Sequence, residues 1–113
     1  MQAIDNVVAH FKRNQNRVIT VEEWGAEGEP LQIYHDPVTP RELDKVAAEN
    51  RGNLDSFGAC VDLICMKAKT QTGEKMFDAT ARENMLSMAD GQIVQLIAQQ
   101  MRFLFLRVDA AKN

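Results

Sequence analysis

Residues that could act as nucleophiles, bases or metal ligands are few and widely spaced in this chain. His10 and His35 are its 2 histidines, and neither has a second ligand at a metal-binding spacing such as H-x-x-x-H or C-x-x-C. Cys60 and Cys65 lie about 140° apart around a helix, so their side chains do not face a common site. These residues are therefore predicted to have structural or surface roles, with no metal site and no redox pair.

Sequence motifs for covalent catalysis and phosphate binding are missing as well. Neither Ser56 nor Ser87 lies in a G-x-S-x-G turn, and the glycines fit neither G-x-G-x-x-G nor a P-loop. Four glutamates surround Trp24 in a glycine-containing loop: Glu22, Glu23, Glu27 and Glu29. Because no partner base lies near them, they are predicted to be solvated loop residues. The sequence predicts a protein that is not an enzyme and uses no cofactor.

Length and composition indicate a single domain covering residues 1–113. A net charge of −3 and a pI near 5.3 argue against nucleic-acid binding, which usually requires a basic face. No stretch of about 20 apolar residues is present, so no membrane span is predicted. Asp5 and Lys12 interrupt the N-terminal region, which lacks the apolar segment of a secretory signal. We expect a cytoplasmic protein whose cysteines remain free thiols.

The hydrophobic pattern predicts an α+β fold, mainly helical, with about five helices and one β-hairpin, about residues 17–35, inserted after the first helix. Apolar residues follow the helical repeat in the first segment, at Ile4, Val7, Val8 and Phe11. The predicted helices cover 2–13, 40–50, 54–68, a segment capped by Asp78, and 91–107. The predicted strands cover 17–24 and 31–35, with a loop over 25–30. Because a lone hairpin is marginal in water, its apolar face is expected to pack on helices.

The strongest local signal marks the start of the helix at residue 40. Thr39 can cap exposed N–H groups, Pro40 fits the first helical position, and Glu42 can reach back to the Thr39 N–H. This match predicts a capping box with a structural rather than a functional role. The inner side of the helix after Asp78 is expected to carry Ala81, Met85 and Met88.

The last predicted helix has two apolar faces, which is typical of a helix central in a core or shared with a partner. One face consists of Ile93, Val94, Ile97, Met101 and Leu104. The other contains Leu96 and Phe103. Aromatic side chains often anchor protein interfaces, so Trp24, Phe103 and Phe105 are the candidate partner-binding residues. Leu104 is expected in the protein's own core, and the wide stripe predicts weak self-association.

Three short motifs occur in a recognisable order along the chain. The first strand ends in E-W-G (residues 23–25), the second strand leads to a P-[LV]-T-x-x-E turn (37–42), and a G-x-x-[LM]-F turn (73–77) precedes the last two helices. Over roughly residues 4–105, this order resembles the tail assembly chaperones of long-tailed bacteriophages and prophages. In many of them the first motif reads V-P-E-W-G, whereas Glu22 replaces the proline here.

The resemblance implies a non-enzymatic role in tail morphogenesis. Family members hold the long, helix-rich tape measure protein until tail tube subunits polymerise around it. The implied partners are the tape measure protein and the tail tube protein, and the chain is expected to form weak homo-oligomers. The implied location is the host cytoplasm, not the mature virion. The alternative is a structural virion subunit, such as a tail completion or neck protein.

The resemblance also bears on the C-terminal residues. Family members are often made in a short form and in a longer form, which arises when ribosomes slip back one nucleotide near the stop codon. The extension is implied to engage tube subunits. One possible coding of Ala111-Lys112-Asn113, GCA-AAA-AAC, contains the slippery run A-AAA-AAC, so these residues are compatible with a frameshifted extension that recruits the tube protein.

Overall fold

The computed structural model describes residues 2–103, and within this range it contains five α-helices and one antiparallel hairpin. The elements are α1 (Ala3–Arg13), β1 (Arg17–Ala26), β2 (Glu29–His35), α2 (Pro40–Glu49), α3 (Phe57–Lys67), α4 (Ala79–Met88) and α5 (Gly91–Arg102). The hairpin follows the first helix. The predicted α+β, mainly helical fold is confirmed.

The hairpin turn is tighter than the predicted six-residue loop over 25–30. The strands continue to Ala26 and Glu29 and are joined by Glu27 and Gly28 alone. Both turn residues have positive φ, 55° and 83°, which matches a type I′ turn and the right-handed twist of paired strands. The prediction of a long loop was wrong because Gly25 and Ala26 continue β1, and Glu29 and Pro30 begin β2.

One face of the hairpin lies in the hydrophobic core, as predicted. Ile19 pairs with Ile33 across the two strands, and both are buried together with Val21. Strand side chains alternate between faces, so these residues share the inner side while Thr20 and Gln32 face solvent. The hairpin therefore packs its apolar face against the part of the core that the helices form.

Helix α3 is the centre of this core. Its buried residues are Ala59, Cys60, Val61, Leu63 and Ile64. Helix α5 adds Val94, Ile97, Ala98 and Met101, and α2 adds Val46. The predicted inner stripe of the last helix is thus confirmed where it lies within the described residues; Leu104, expected in the core, lies outside them.

Capping side chains set the helix ends. The predicted capping box of α2 is confirmed: Glu42 N donates to Thr39 Oγ1 at 3.2 Å, and Thr39 N donates to Glu42 Oε1 at 2.9 Å. Helix α3 begins at Phe57 rather than at 54, because Ser56 Oγ accepts the Ala59 N–H at 3.1 Å and so caps the helix there.

Two other details of the helices differ from prediction. Helix α5 ends at Arg102 rather than at 107, because Phe103 has an extended backbone with φ −107° and ψ 118°. Met88 was predicted on the inner side of α4, yet it is 78% exposed. It is the last residue of α4 and is exposed to solvent, whereas Ala81 and Met85 are half-buried. Among residues 2–103, no helix is both long and apolar enough to cross a membrane.

Candidate protein-binding site

An apolar groove of about 320 Å³ opens beside the single tryptophan. Trp24 forms one wall from the end of β1, and the other wall comes from the α4 side. The remaining lining residues are Phe77, Ala81, Asn84, Met85, Met88 and Ala89. Only one of these lining residues, Asn84, has a polar side chain, so the groove presents an apolar surface that water solvates poorly.

Gly25 places Trp24 at the groove by allowing the two strand ends to approach closely. A Cβ atom at position 25 would overlap the Glu29 carbonyl oxygen and lie 2.7 Å from Pro30 Cα. Both are backbone atoms, so no side-chain rotation can relieve the overlap. Steric exclusion of a Cβ atom therefore explains why a glycine occupies the third position of the E-W-G motif. Trp24, the second residue of the motif, lies where the strand register is interrupted between Val21 and Ala26.

A polar network holds α4, the other wall, against α3. Arg82 on α4 donates to Asp62 on α3 through Nε, and through its terminal nitrogen at 3.4 Å. Asn50 Nδ2, just after α2, donates to the same carboxylate at 2.9 Å. Burial raises the pKa of Asp62, but the hydrogen bonds from Arg82 and Asn50 outweigh it and the pKa lies below the ordinary value. Asp62 is thus held ionised at the junction of three helices.

The hairpin end beside Trp24 is strongly acidic. Glu22, Glu27 and Glu29 line a shallow cleft at the turn, and these side chains are exposed, as is Glu23. The predicted exposure of these carboxylates is confirmed, but their placement in a loop was wrong for all except Glu27, because Glu22 and Glu23 lie in β1 and Glu29 lies in β2. Glu22 and Glu23 directly precede Trp24 in β1, so they bring negative charge to the strand that carries Trp24, and such charge attracts cationic groups on a partner.

Phe103, the second candidate residue, lies at the other end of the chain's described part. Phe103 is 46% exposed, and the Arg102 guanidinium lies 4.7 Å from the centroid of its ring. Arg102 in turn donates to the Leu54 carbonyl at 3.3 Å and to Asp55 Oδ1 at 3.1 Å. Leu96 on α5 is 53% exposed, so the predicted second apolar face of this helix is on the surface.

The structure does not gather the candidate residues into one site. Trp24 is half-buried and belongs to the groove, whereas Phe103 is not among the groove residues. Phe105 lies outside the described residues. Sequence reasoning missed the partners of Trp24 across the groove, above all Met85 and Met88, because it assigned them to the core. Their methionine type was the available signal, since methionines are frequent on adaptable binding surfaces.

The histidines and cysteines have no common site. His10 is exposed, while His35 is 1% exposed and its Nδ1 donates to the Asp36 carbonyl at 3.0 Å. Burial lowers the pKa of His35 and raises the pKa values of Cys60 and Cys65, both free thiols. Across residues 2–103, no group of three or more His, Cys, Asp and Glu side chains is placed to hold a metal ion.

Comparisons of the chain with protein-family models, with curated proteins and with solved structures give no match.

Proposed function

We propose that this chain is a non-enzymatic phage tail assembly chaperone that binds the tape measure protein and helps to recruit tail tube subunits. The observation that carries the proposal is the open apolar groove between Trp24 and the methionines of α4. A holder of an aggregation-prone helical client needs such a surface, and Trp24, the tryptophan of the E-W-G motif that resembles the chaperone family, forms one wall of it.

The groove is apolar and open, so it can take apolar side chains from a helix. A volume of about 320 Å³ accommodates one or two large apolar side chains, as when an amphipathic helix lays its apolar face in a groove. Met85 and Met88 have flexible, polarizable side chains that adjust to different partners. A client that presents many similar helical segments would be held by many copies, each binding weakly.

The negative charge near the groove also indicates which kind of client segment would bind. Glu22 and Glu23 directly precede the groove residue Trp24 in β1, and the chain as a whole has a net charge of −3. We therefore expect the bound segments of the tape measure protein to be apolar helices flanked by lysine or arginine. The same acidic charge keeps the chaperone itself soluble. In this proposal it works in the host cytoplasm and is absent from the mature virion.

The direct test is to co-express this chain with the tape measure protein of the same phage and measure the soluble fraction of the latter. Met88→Lys puts a charge in the groove at a position that is 78% exposed, so it should preserve the fold and abolish the gain in solubility. Leu86→Lys is the matched control: it lies on the same helix, is 40% exposed and is not a groove residue. Equal loss with both variants, or no gain with the unchanged chain, would contradict the proposal.

The alternative, a structural virion subunit, predicts a different location. Mass spectrometry of purified virions decides between the two: a chaperone is missing from the finished particle, and a tail completion or neck protein is present in stoichiometric amount. Detection of the chain in virions at that level would replace the proposed function by the structural one.

A further inference from the structure

Helix α1 presents an apolar stripe that nothing in the described part of the chain covers. Ile4 is 61% exposed, Val7 63% and Val8 45%, and none of the residues of α1 is buried. Sequence reasoning identified this stripe as a helix face but not as a surface. A helix of 11 residues has only marginal stability in water on its own, so packing of its apolar stripe against a partner would stabilise it.

We infer that α1 pairs with α1 of a second copy of this chain, in an antiparallel arrangement about a two-fold axis. Two-fold symmetry brings the same patch of both copies together, and the stripe of Ile4, Val7 and Val8 is complementary to itself. The inference concerns a surface distinct from the Trp24 groove and does not depend on the proposed function.

The charges beside the stripe favour a second copy of α1 as the partner, and they favour an antiparallel over a parallel pair. Asp5 and Lys12 are seven positions apart, so at about 100° per residue they lie on the same flank of the stripe, one near each end. In an antiparallel pair related by two-fold symmetry the same flanks meet with their ends reversed. Each Asp5 carboxylate then faces the Lys12 ammonium of the other copy, once at each end. A parallel pair gives neither contact.

The surface beside the stripe extends the interface. A groove of about 360 Å³ separates α1 from the β2–α2 connection and the end of α5, and its walls include Val7, Phe11, Val38 and Met101. Side chains of the second copy can enter this groove. The stripe of one short helix is nevertheless smaller than the roughly 800 Å² per partner of a stable complex, so the dimer is weak and forms only at high protein concentration.

Sedimentation velocity of the full chain, from micromolar to several hundred micromolar, tests the inference. The weight-average mass should rise from 12.7 kDa toward twice that value, and Val7→Asp should remain monomeric. Asn6→Asp is the matched control on the opposite side of α1 and should dimerise like the unchanged chain. A constant monomer mass for the unchanged chain would overturn the inference and leave the stripe to a different partner.

Charge reversal tests the direction of pairing. Lys12→Glu replaces two attractive contacts by repulsive ones and should weaken dimerisation about tenfold at low salt. Arg13→Glu makes the same charge change at the same helix end, but on the side away from the stripe, and should have a much smaller effect. Equal effects of the two variants would refute the antiparallel pairing.

Discussion

The buried imidazole of His35 should make the stability of this protein depend on pH between 7 and 5. His35 is 1% exposed on the inner face of β2. Burial lowers the pKa of His35, the hydrogen bond to the Asp36 carbonyl opposes this effect, and the positive charges of Arg17 and Lys67 add to it. The folded chain thus keeps this imidazole neutral at a pH where the unfolded chain protonates it.

The sign and size of the effect follow from proton linkage. Because the folded pKa lies below the ordinary value of 6.5, the unfolded state binds the additional proton first, and stability falls as the pH drops below 6.5. For an imidazole that stays neutral in the folded state, the loss from pH 7 to pH 5 reaches at most about 2 kcal/mol. The carboxyl groups of Asp36, Glu42 and Asp62, whose pKa values are also lowered, lose their contributions mainly below pH 5.

Urea unfolding at pH 7, 6 and 5, followed by circular dichroism, measures this loss. His35→Gln keeps an amide donor for the Asp36 carbonyl but cannot titrate, so its free energy of unfolding should be nearly constant over this range. His10→Gln is the control, because His10 is exposed, and it should retain the pH dependence of the unchanged chain. If His35→Gln shows the same pH dependence as the unchanged chain, His35 is not its source and the reasoning is wrong.

Three further changes test the local explanations of the fold, each by urea unfolding. Thr39→Ala removes the cap of α2 and should cost about 1 kcal/mol, whereas Thr39→Ser, which keeps the hydroxyl, should cost much less. Gly25→Ala forces a methyl group into the opposite strand end and should destabilise the hairpin by about 1–3 kcal/mol; a neutral result would show that the strand ends separate at little cost. Asp62→Asn leaves Arg82 without its anionic partner and should cost about 1–3 kcal/mol, while Asp44→Asn, at an exposed position of α2, should have almost no effect.

Local patterns were sufficient to predict most of the fold. The capping box at Thr39 and the alternation of Ile19 and Val21 each depend on a few neighbouring residues, and the structure confirms both. Helix boundaries were less predictable where a capping residue lies inside the apolar repeat. The repeat predicts that α3 begins at 54, but Ser56 caps the helix, which therefore begins at Phe57. The last helix ends earlier than predicted because Phe103 has an extended backbone, which no local sequence pattern predicts.

The candidate site was less predictable because it depends on long-range packing. Trp24 was identified as a contact residue from its type alone, but its groove requires α4, which follows more than fifty positions later in the sequence. The periodicity of Met85 and Met88 is the same for a buried and an exposed helix face, so it could not show that Met88 is on the surface. The exposed stripe of α1 was missed for the same reason.

The position of Trp24 has a practical consequence for experiments. The chain has 1 tryptophan, and that residue forms a wall of the proposed binding groove while remaining half-buried. The indole is therefore a built-in fluorescent reporter of whatever enters the groove: an apolar segment displaces water from the ring and shifts its emission to shorter wavelength. Binding at this groove can be followed without attaching a dye, and binding at the stripe of α1 should leave the emission unchanged.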